Sequence, residues 1–179
     1  TSNQRRKAKA VNFGIIYGIS DYGLSEQIDI SIKEAHEIID SFYKSFPEVG
    51  NFFSNIVEEA KNNGYVSTLL GRRRYLRELH DSNYQVREYA KRAAMNAPVQ
   101  GTAADLIKIA MVKVDQALKE GNYKSKIVCQ IHDELIFKVP SEEKAEVYDL
   151  IKNIMESAVK LSVPLKVDGG YGIDWYSAK

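Results

Sequence analysis

The segment KIVCQ at residues 126–130 and the segment LIFKV at residues 135–139 lie on either side of a short charged sequence. Both segments are rich in β-branched, aromatic and other apolar residues, which is typical of β-strands. The sequence between them contains His132, Asp133 and Glu134. The spacing therefore predicts an antiparallel β-hairpin that carries these three polar residues at its tip.

Helical patterns dominate the sequence around this hairpin. Helices are predicted up to residue 18 and over residues 22–28, 32–46, 47–63, 84–97, 102–120 and 142–161. Pro98 is predicted to interrupt the long helical pattern, with Thr102 as the N-cap of the part that follows. Residues 65–70 and 163–168 are predicted to form two further strands. Because helices and antiparallel strands occupy separate parts of the sequence, we predict an α+β fold rather than a doubly wound parallel sheet.

Several helix ends are predicted from single residues. Ser20 and Ser31 precede helical patterns and have the side chains of N-caps, and Glu34 completes a capping box with Ser31. Pro47 suits the first turn of a helix, where its missing N–H costs nothing. Gly64 is typical of the position that ends a helix.

The composition excludes several classes of protein. The 179 residues include 25 Lys and Arg, 24 Asp and Glu and 44% hydrophobic residues, a balance that indicates a globular chain and not a disordered one. The single cysteine, Cys129, excludes a disulfide framework and a cysteine-based zinc site. No window approaches the roughly 18 apolar residues of a membrane helix, and no signal-peptide pattern is present, so we expect a cytoplasmic protein without membrane contact.

Four residues near the start of the sequence are spaced by four and predict a nucleotide site. Arg5, Lys9, Phe13 and Tyr17 drift by about 40° per step around a helix and so share one broad face. Phosphates would bind the two cations while a base or sugar packed on Phe13. Gly14 would allow another molecule to approach closely, as would the glycine at the end of the run. A solvated basic turn followed by buried aromatic residues is the alternative.

The tip of the predicted hairpin is a candidate site for a hard cation. Mg²⁺ prefers carboxylate oxygens, keeps several waters and binds substrate phosphates, so Asp133 and Glu134 are suitable ligands beside His132. Two-metal phosphoryl transfer needs carboxylates that bridge two ions, and one hairpin supplies only part of that set. The alternative is a polar turn in solvent.

A third cluster predicts contact with nucleic acid. It comprises the residues Arg87, Lys91, Arg92, Asn96 and Gln100, with Arg72, Arg73 and Arg74 upstream. Arg and Lys neutralise phosphates, while Asn and Gln form hydrogen bonds to base edges. A solvated helix face is again the alternative.

Five stretches of the sequence together resemble family A DNA polymerases. The run RRKAKAVNFGIIYG at residues 5–18 is similar to motif B of that family, and QIHDE at residues 130–134 is similar to motif C. Residues 68–76, 96–105 and 174–176 resemble further stretches of bacterial members. The resemblance covers the whole chain, and two motifs of this length in this order are highly specific.

The resemblance implies a division of the chain and a nucleotide site. Residues 1–83 would be part of the fingers, and residues 84–179 would be the C-terminal part of the palm with its antiparallel sheet. Arg5 and Lys9 would bind the triphosphate of an incoming deoxynucleoside triphosphate. Phe13 would pack on its sugar and base, and Tyr17 would guard the templating position.

The resemblance also implies the catalytic and DNA-binding residues. Asp133 would be a metal ligand and Glu134 an auxiliary acid and ligand near it, so that both act in catalysis together with Lys9. His132 would lie beside the primer terminus. The residues in contact with primer-template DNA would be Arg92, Asn96 and Gln100.

The implied activity is template-directed DNA synthesis in replication and repair. The primer 3′-hydroxyl would attack the α-phosphorus of the nucleotide with the help of two Mg²⁺ ions. We expect a monomer in the bacterial cytoplasm, associated with the nucleoid, whose partners are primer-template DNA and deoxynucleoside triphosphates.

One motif of the family is missing. Motif A precedes motif B, has the pattern Asp-x-Ser-x-x-Glu and carries the other catalytic aspartate, and no strand for it fits before Arg5. Since residue 1 is Thr rather than Met, we expect a piece of a longer chain that does not extend a primer alone. The alternatives are a non-catalytic DNA-binding module of the same fold and, less favoured, a Mg²⁺-dependent phosphohydrolase.

Overall fold

The computed structural model describes the backbone of residues 2–178 and the side chains of residues 5–178. This part of the chain is mostly helical and contains two antiparallel two-stranded sheets, so the predicted α+β fold is confirmed. Contacts divide the chain into two compact units, Thr1–Thr102 and Ala103–Lys179. The boundary between fingers and palm at residue 83 stays a prediction. Within the described residues, no helix combines the length and the apolar composition that a membrane crossing requires.

The first unit begins with four helices, α1 Ser2–Ile16, α2 Asp21–Ile28, α3 Ile32–Ser45 and α4 Pro47–Asn63. The hydroxyl of Ser20 accepts a hydrogen bond from the N–H of Gly23 at 3.1 Å. Ser31 and Glu34 exchange the two bonds of a capping box, at 3.2 Å and 2.9 Å. Gly64 ends α4 with a φ of +77°, which glycine adopts without steric cost. The helix ends predicted at Ser20, Ser31 and Gly64 are therefore confirmed.

Two apolar clusters hold these helices. Helices α1, α2 and α3 surround the first cluster, whose buried residues are Leu24, Ile28 and Ala35. The second cluster joins α4 to the later elements of the unit, and its buried residues are Ala60, Val66, Leu76, Leu79, Ala90, Ala93, Ala94 and Ala97. The small alanines let the long helix described next lie close against its neighbours.

A short hairpin follows α4. Strand β1, Tyr65–Ser67, pairs antiparallel with strand β2, Arg73–Tyr75, and a short 3₁₀ helix covers Arg77–His80. The strand predicted to reach residue 70 ends earlier because residues 68–72 form a tight turn, in which Gly71 has a φ of +86°. We did not predict β2, because three consecutive arginines lack the alternation of a half-buried strand.

The predicted break at Pro98 is wrong. Helix α5 runs without interruption from Tyr84 to Glu120. A proline removes one backbone donor from a helix, but here Pro98 is itself buried, and Ala94 and Ala97 just before it are buried in the core and hold this part of the helix. Thr102 is therefore inside the helix and is not an N-cap. Its hydroxyl donates to the carbonyl oxygen of Pro98 at 2.5 Å.

The second unit contains the C-terminal part of α5, the strands β3 Lys126–Ile131 and β4 Glu134–Lys138, and the helix α6 Lys144–Glu156. The strands pair antiparallel, with Ile131 opposite Glu134, so the predicted hairpin is confirmed. A buried cluster of Val114, Leu118 and Val147 joins α5 to α6 behind the hairpin. This apolar support fixes the strands that lead to the charged tip.

The last predicted helix and strand differ from the structure. Helix α6 ends at Glu156 instead of residue 161, and residues 163–168 form no strand. A strand needs a neighbour for its backbone groups, and the sheets among the described residues pair only β1 with β2 and β3 with β4. The N–H of Val167 instead donates to a carboxylate oxygen of Glu156 at 3.0 Å.

Candidate functional site

Helix α1 presents a stripe of cationic and aromatic side chains at the surface. The ammonium nitrogen of Lys9 lies 5.6 Å from the ring centroid of Phe13. The rings of Phe13 and Tyr17 are nearly parallel, with centroids 6.4 Å apart and an interplanar angle of 15°. These rings are 48% and 43% exposed, and Arg5, one turn before Lys9, is also exposed. The aromatic residues of this stripe are therefore available to a ligand and do not lie in the core.

The two glycines of this run adjoin side chains of the same chain. A Cβ at Gly14 would lie 3.0 Å from a methyl group of Ile19, which folds back on the helix. Gly18 has a φ of +70°, and a Cβ there would lie 3.0 Å from Cγ of Arg92 and 3.3 Å from Cε of Met95. Both glycines thus serve internal packing, and Gly18 connects the end of α1 to α5.

The predicted DNA-contacting residues of α5 form a second stripe. Arg92, Asn96 and Gln100 are spaced by four, so they share one broad face of the helix. Arg92 and Gln100 are exposed, while Asn96 is half-buried. Its Oδ1 atom is buried and has no hydrogen-bond partner among the described residues. A buried amide oxygen without a donor costs about 1–3 kcal/mol, so a donor on a ligand that reached Asn96 would be favoured.

Two other members of the predicted cluster are engaged within the chain. The guanidinium group of Arg87 donates to the carbonyl oxygens of Asp81 and Ser82, both at 2.7 Å. The ammonium group of Lys91 pairs with Glu88 at 2.5 Å. Arg87 therefore closes the turn before α5, and the stripe available to a ligand narrows to the three residues spaced by four.

The tip of the second hairpin places its polar residues in solvent. His132 and Asp133 form the two-residue loop, and Glu134 begins β4; all three are exposed. His132 has a φ of +53°, which is uncommon for a residue other than glycine. The side-chain amide of Gln130 donates to the carbonyl oxygen of His132 at 2.9 Å, which supports the loop in this conformation.

A residue far along the chain also reaches this tip. The indole Nε1 of Trp175 donates to a carboxylate oxygen of Glu134 at 3.1 Å. The sequence offered no signal for this contact beyond the resemblance of residues 174–176, because the partners lie on different elements. The C-terminal segment thus forms part of the surroundings of the predicted catalytic carboxylates.

The tip fits part of a metal site. Asp133 and Glu134 supply the oxygen ligands that Mg²⁺ prefers, and they are accessible. Among residues 2–178, no three His, Cys, Asp or Glu side chains come close enough to enclose a metal ion together. Mg²⁺ usually completes its shell with water and substrate phosphates, so two carboxylates are a suitable protein contribution.

The spacing expected for motif A occurs once after motif B, at residues 29–34. There Asp29 ends α2 with a φ of +55°, and Ser31 and Glu34 form the capping box of α3. The pKa of Glu34 lies below its usual value, chiefly because the backbone N–H of Ser31 donates to its carboxylate. These residues therefore form the end of α2 and the start of α3, and they do not supply the second aspartate of a two-metal site.

Comparisons with known proteins extend over the whole chain. The sequence is 54% identical over 179 residues to the DNA polymerase I of Bacillus caldotenax and 52% identical to that of Geobacillus stearothermophilus. Each match covers 100% of this chain and 20% of the relative, so the chain spans one fifth of these curated relatives.

A solved structure is similar at the level of the fold. It is the POL domain of Pol1 from M. smegmatis in complex with DNA primer-template and dNTP, with a TM-score of 0.96 and 48% identity. The match covers 99% of this chain and 31% of that one. The sequence model of DNA polymerase family A matches residues 1–177. The chain therefore belongs to DNA polymerase family A.

Proposed function

We propose that this chain is the part of a template-directed DNA polymerase that binds the incoming nucleotide, the primer-template and one set of metal-ligating carboxylates. The observation that carries the proposal is the exposed stripe of Lys9 and Phe13 on α1 and Tyr17 directly after it, which offers a cation and two stacked rings to a single ligand. The similarity to a polymerase domain solved with primer-template and dNTP supports it. In this proposal residues 1–83 belong to the fingers and residues 84–179 to the palm.

The stripe on α1 suits a deoxynucleoside triphosphate. Arg5 and Lys9 bind the triphosphate through charge-assisted hydrogen bonds, which are about twice as strong as neutral ones. Phe13 packs on the sugar and base, and Tyr17 guards the templating position. Stacking of a base on an aromatic ring contributes about 1–3 kcal/mol, so the stripe holds both ends of the nucleotide.

The hairpin tip supplies ligands for a divalent cation, which we propose to be Mg²⁺. Asp133 is a direct ligand, and Glu134 is an auxiliary acid and ligand whose carboxylate the Trp175 indole orients. When two such ions are bound, their Lewis-acid chemistry would lower the pKa of the primer hydroxyl and stabilise the leaving pyrophosphate. His132 contacts the primer terminus from the same loop.

The reaction is nucleotidyl transfer. The 3′-oxygen of the primer forms a bond to the α-phosphorus, the bond from that phosphorus to the β-phosphate bridging oxygen breaks, and the hydroxyl proton passes to solvent. Lys9 and Arg5 offset the negative charge that develops on the pyrophosphate. The three residues Arg92, Asn96 and Gln100 hold the primer-template, which fits a role in replication and repair.

Further features of the proposal concern the protein in its cell. We propose that it acts as a monomer in the bacterial cytoplasm, associated with the nucleoid through its DNA substrate. Because the family's motif A supplies the second catalytic aspartate, the 179-residue chain alone does not extend a primer. Primer extension by that purified chain with Mg²⁺ would contradict this part of the proposal.

Substitution of Asp133 tests the proposed function. In the complete polypeptide that contains this chain, Asp133→Asn keeps the size of the side chain but removes a charged ligand. We expect primer extension to be abolished while the affinity for primer-template changes little. The control is Asp168→Asn, which removes an exposed aspartate elsewhere in the same unit and should leave extension intact.

Two other results would count against the proposed function. Near-normal extension by Asp133→Asn would contradict the metal assignment. Binding of primer-template by the wild-type polypeptide without any extension would favour the alternative of a non-catalytic DNA-binding module.

A further inference from the structure

The turn between β1 and β2 is closed by its own hydrogen bonds. The N–H of Thr68 donates to the carbonyl oxygen of Arg72, and the N–H of Gly71 donates to that of Thr68, both at 2.9 Å. The N–H of Arg72 also donates to the hydroxyl of Thr68 at 3.1 Å. Thr68 is buried. The turn is therefore a well-defined unit and not a loose loop.

This turn is joined to α5 by two further hydrogen bonds. The backbone N–H of Leu69 donates to the hydroxyl oxygen of Thr102 at 2.9 Å. That hydroxyl has a single hydrogen, which it donates to the carbonyl oxygen of Pro98. The guanidinium Nη2 of Arg72 donates to the carbonyl oxygen of Gly101 at 2.8 Å. We call this set of contacts between the turn and residues 98–102 the clip.

Shape reinforces the clip. A Cβ added at Gly101 would lie 2.5 Å from the Cγ2 methyl group of Thr68, a separation that real Cβ contacts essentially never show. The turn therefore rests directly on the backbone of α5. A side chain at position 101 would therefore force Thr68, and the turn that holds it, to move away from the helix.

The clip lies behind the stripe of DNA-contacting residues. At about 100° per residue, Pro98, Gly101 and Thr102 lie about 140–240° around α5 from Asn96, whereas Gln100 lies only about 40° from it. Pro98 falls between Asn96 and Gln100 and removes one hydrogen bond from that turn of the helix. The helix is thus held from its back at the point where its own backbone is weakest.

We propose that Arg72 is a positioning residue for the DNA-contacting stripe and not itself a phosphate contact. Through the clip, Arg72 and Thr102 keep the turn around Pro98 helical, so that Asn96 and Gln100 keep their relative positions when the duplex binds. The inference rests on the proposed function. The inference gives Arg72 a different role from its neighbour Arg73. The guanidinium group of Arg73 lies 4.5 Å from the ring centroid of Tyr65, which is on β1 and not on α5.

Substitutions at Thr102 test the clip without a change of charge. Thr102→Val keeps the shape and loses the hydroxyl, whereas Thr102→Ser keeps the hydroxyl and is the matched control. In the complete polypeptide we expect Thr102→Val to weaken primer-template binding roughly 2- to 10-fold, the range of a single neutral hydrogen bond. Thr102→Ser should bind like the wild type, and denaturant unfolding curves verify that both variants are folded.

The salt dependence of binding separates positioning from phosphate contact at Arg72. Each phosphate contact adds about 0.9 to the slope of log affinity against log salt concentration. We expect Arg72→Gln to weaken binding as Thr102→Val does and to leave this slope unchanged. The double variant should lose less than the sum of the two single losses, because both residues act through the same clip.

Three outcomes would overturn the inference. If both Thr102→Val and Arg72→Gln bound primer-template like the wild type, the clip would have no role in DNA binding. Normal primer extension by the same variants would show that the proposed function still holds. A slope lower by about 0.9 in Arg72→Gln, with wild-type binding by Thr102→Val, would make Arg72 a phosphate contact. A wild-type polypeptide that binds no primer-template would overturn the proposed function and this inference with it.

Discussion

The indole nitrogen of Trp175 and the carboxylate of Glu134 are joined by a hydrogen bond of 3.1 Å across 41 residues of sequence. Both side chains are exposed, and Trp175 is 44% accessible. The bond ties the C-terminal segment to the first residue of β4, directly after the loop that carries Asp133. The orientation of a predicted catalytic carboxylate thus depends on a residue outside motif C.

Tryptophan fluorescence tests this contact in the 179-residue chain, whose only tryptophan is Trp175. Glu134→Ala removes the acceptor, so we expect the indole to become more hydrated and its emission maximum to move to longer wavelength. Glu134→Gln keeps an amide oxygen as acceptor and should leave the emission close to that of the wild type. Equal spectra for the wild type and Glu134→Ala would show that the bond does not hold the indole in solution.

Two glycines with similar backbone dihedral angles allow the cost of an added side chain to be compared in crowded and in open surroundings. Gly18 and Gly64 have φ values of +70° and +77°, but no atom lies within 4 Å of a Cβ at Gly64. Gly64→Ala should therefore cost about 1–2 kcal/mol of unfolding free energy, the price of the left-handed conformation alone. Gly18→Ala should cost about 1 kcal/mol more, the low end for an overpacked contact, because its Cβ meets Arg92.

Chemical denaturation of the two alanine variants measures this difference directly. We also expect weaker primer-template binding for Gly18→Ala only, since the new methyl group displaces Arg92. Equal losses of stability in both variants would mean that Arg92 and Met95 move aside without cost.

We expect the segment just before β3 to lose stability at low pH through Glu143. Its carboxylate accepts hydrogen bonds from the N–H of Lys124, and from the N–H and hydroxyl of Ser125 at 3.0 Å and 2.6 Å. The hydroxyl of Ser125 is the main cause that lowers the pKa of Glu143 below its usual value. The folded state therefore gains stability from the ionised carboxylate above the unfolded-state pKa, and this gain is lost as the pH falls through the lowered pKa.

Unfolding free energies across the acid range check this prediction. The wild type should lose more stability on acidification than Glu143→Gln, because an amide side chain does not take up a proton in this range. Ser125→Ala removes the main cause of the pKa shift, so its loss on acidification should fall between those two. Parallel pH profiles for all three proteins would refute a role for Glu143 in acid sensitivity.

Lys9 is predicted to act on the nucleotide and not on the duplex. In the complete polypeptide, Lys9→Ala should weaken the use of deoxynucleoside triphosphates by about 1.5–3 kcal/mol, typical of a hydrogen bond to a charged group. Lys7→Ala makes the same change in charge about 200° away around α1 and should have a smaller effect. Steady-state kinetics with nucleotide and a separate DNA-binding assay distinguish the two sites. If Lys9→Ala weakened duplex binding alone, α1 would be part of the surface that binds DNA and not the nucleotide site.

Local sequence signals were sufficient for most helix ends and for the second hairpin. Ser20, Ser31 and Gly64 act through hydrogen bonds or backbone conformations that involve residues only a few positions away. The two apolar, β-rich segments on either side of residues 132–134 likewise contain both strands and the loop between them. Such features are predictable because the partners are neighbours in the chain.

The errors arose where distant residues compensate for a local penalty or fail to supply a partner. Pro98 should have ended a helix, but the buried alanines beside it hold α5 continuous. Residues 163–168 have the alternation of a strand, yet no neighbouring strand pairs with them among the described residues. Strand β2 forms because Arg74 pairs with Val66, in spite of its unfavourable charges.

The features of the candidate site likewise separate into those that depend on near neighbours in the sequence and those that depend on distant residues. Residues spaced by four on a helix share a face whatever surrounds them, so the stripes on α1 and α5 follow from the sequence alone. Folding decided that Phe13 remains exposed, that Trp175 reaches Glu134 and that Arg72 is bonded to Gly101. These contacts join residues far apart in the chain, and they form only when burial of the apolar clusters offsets the entropy of bringing such distant segments together.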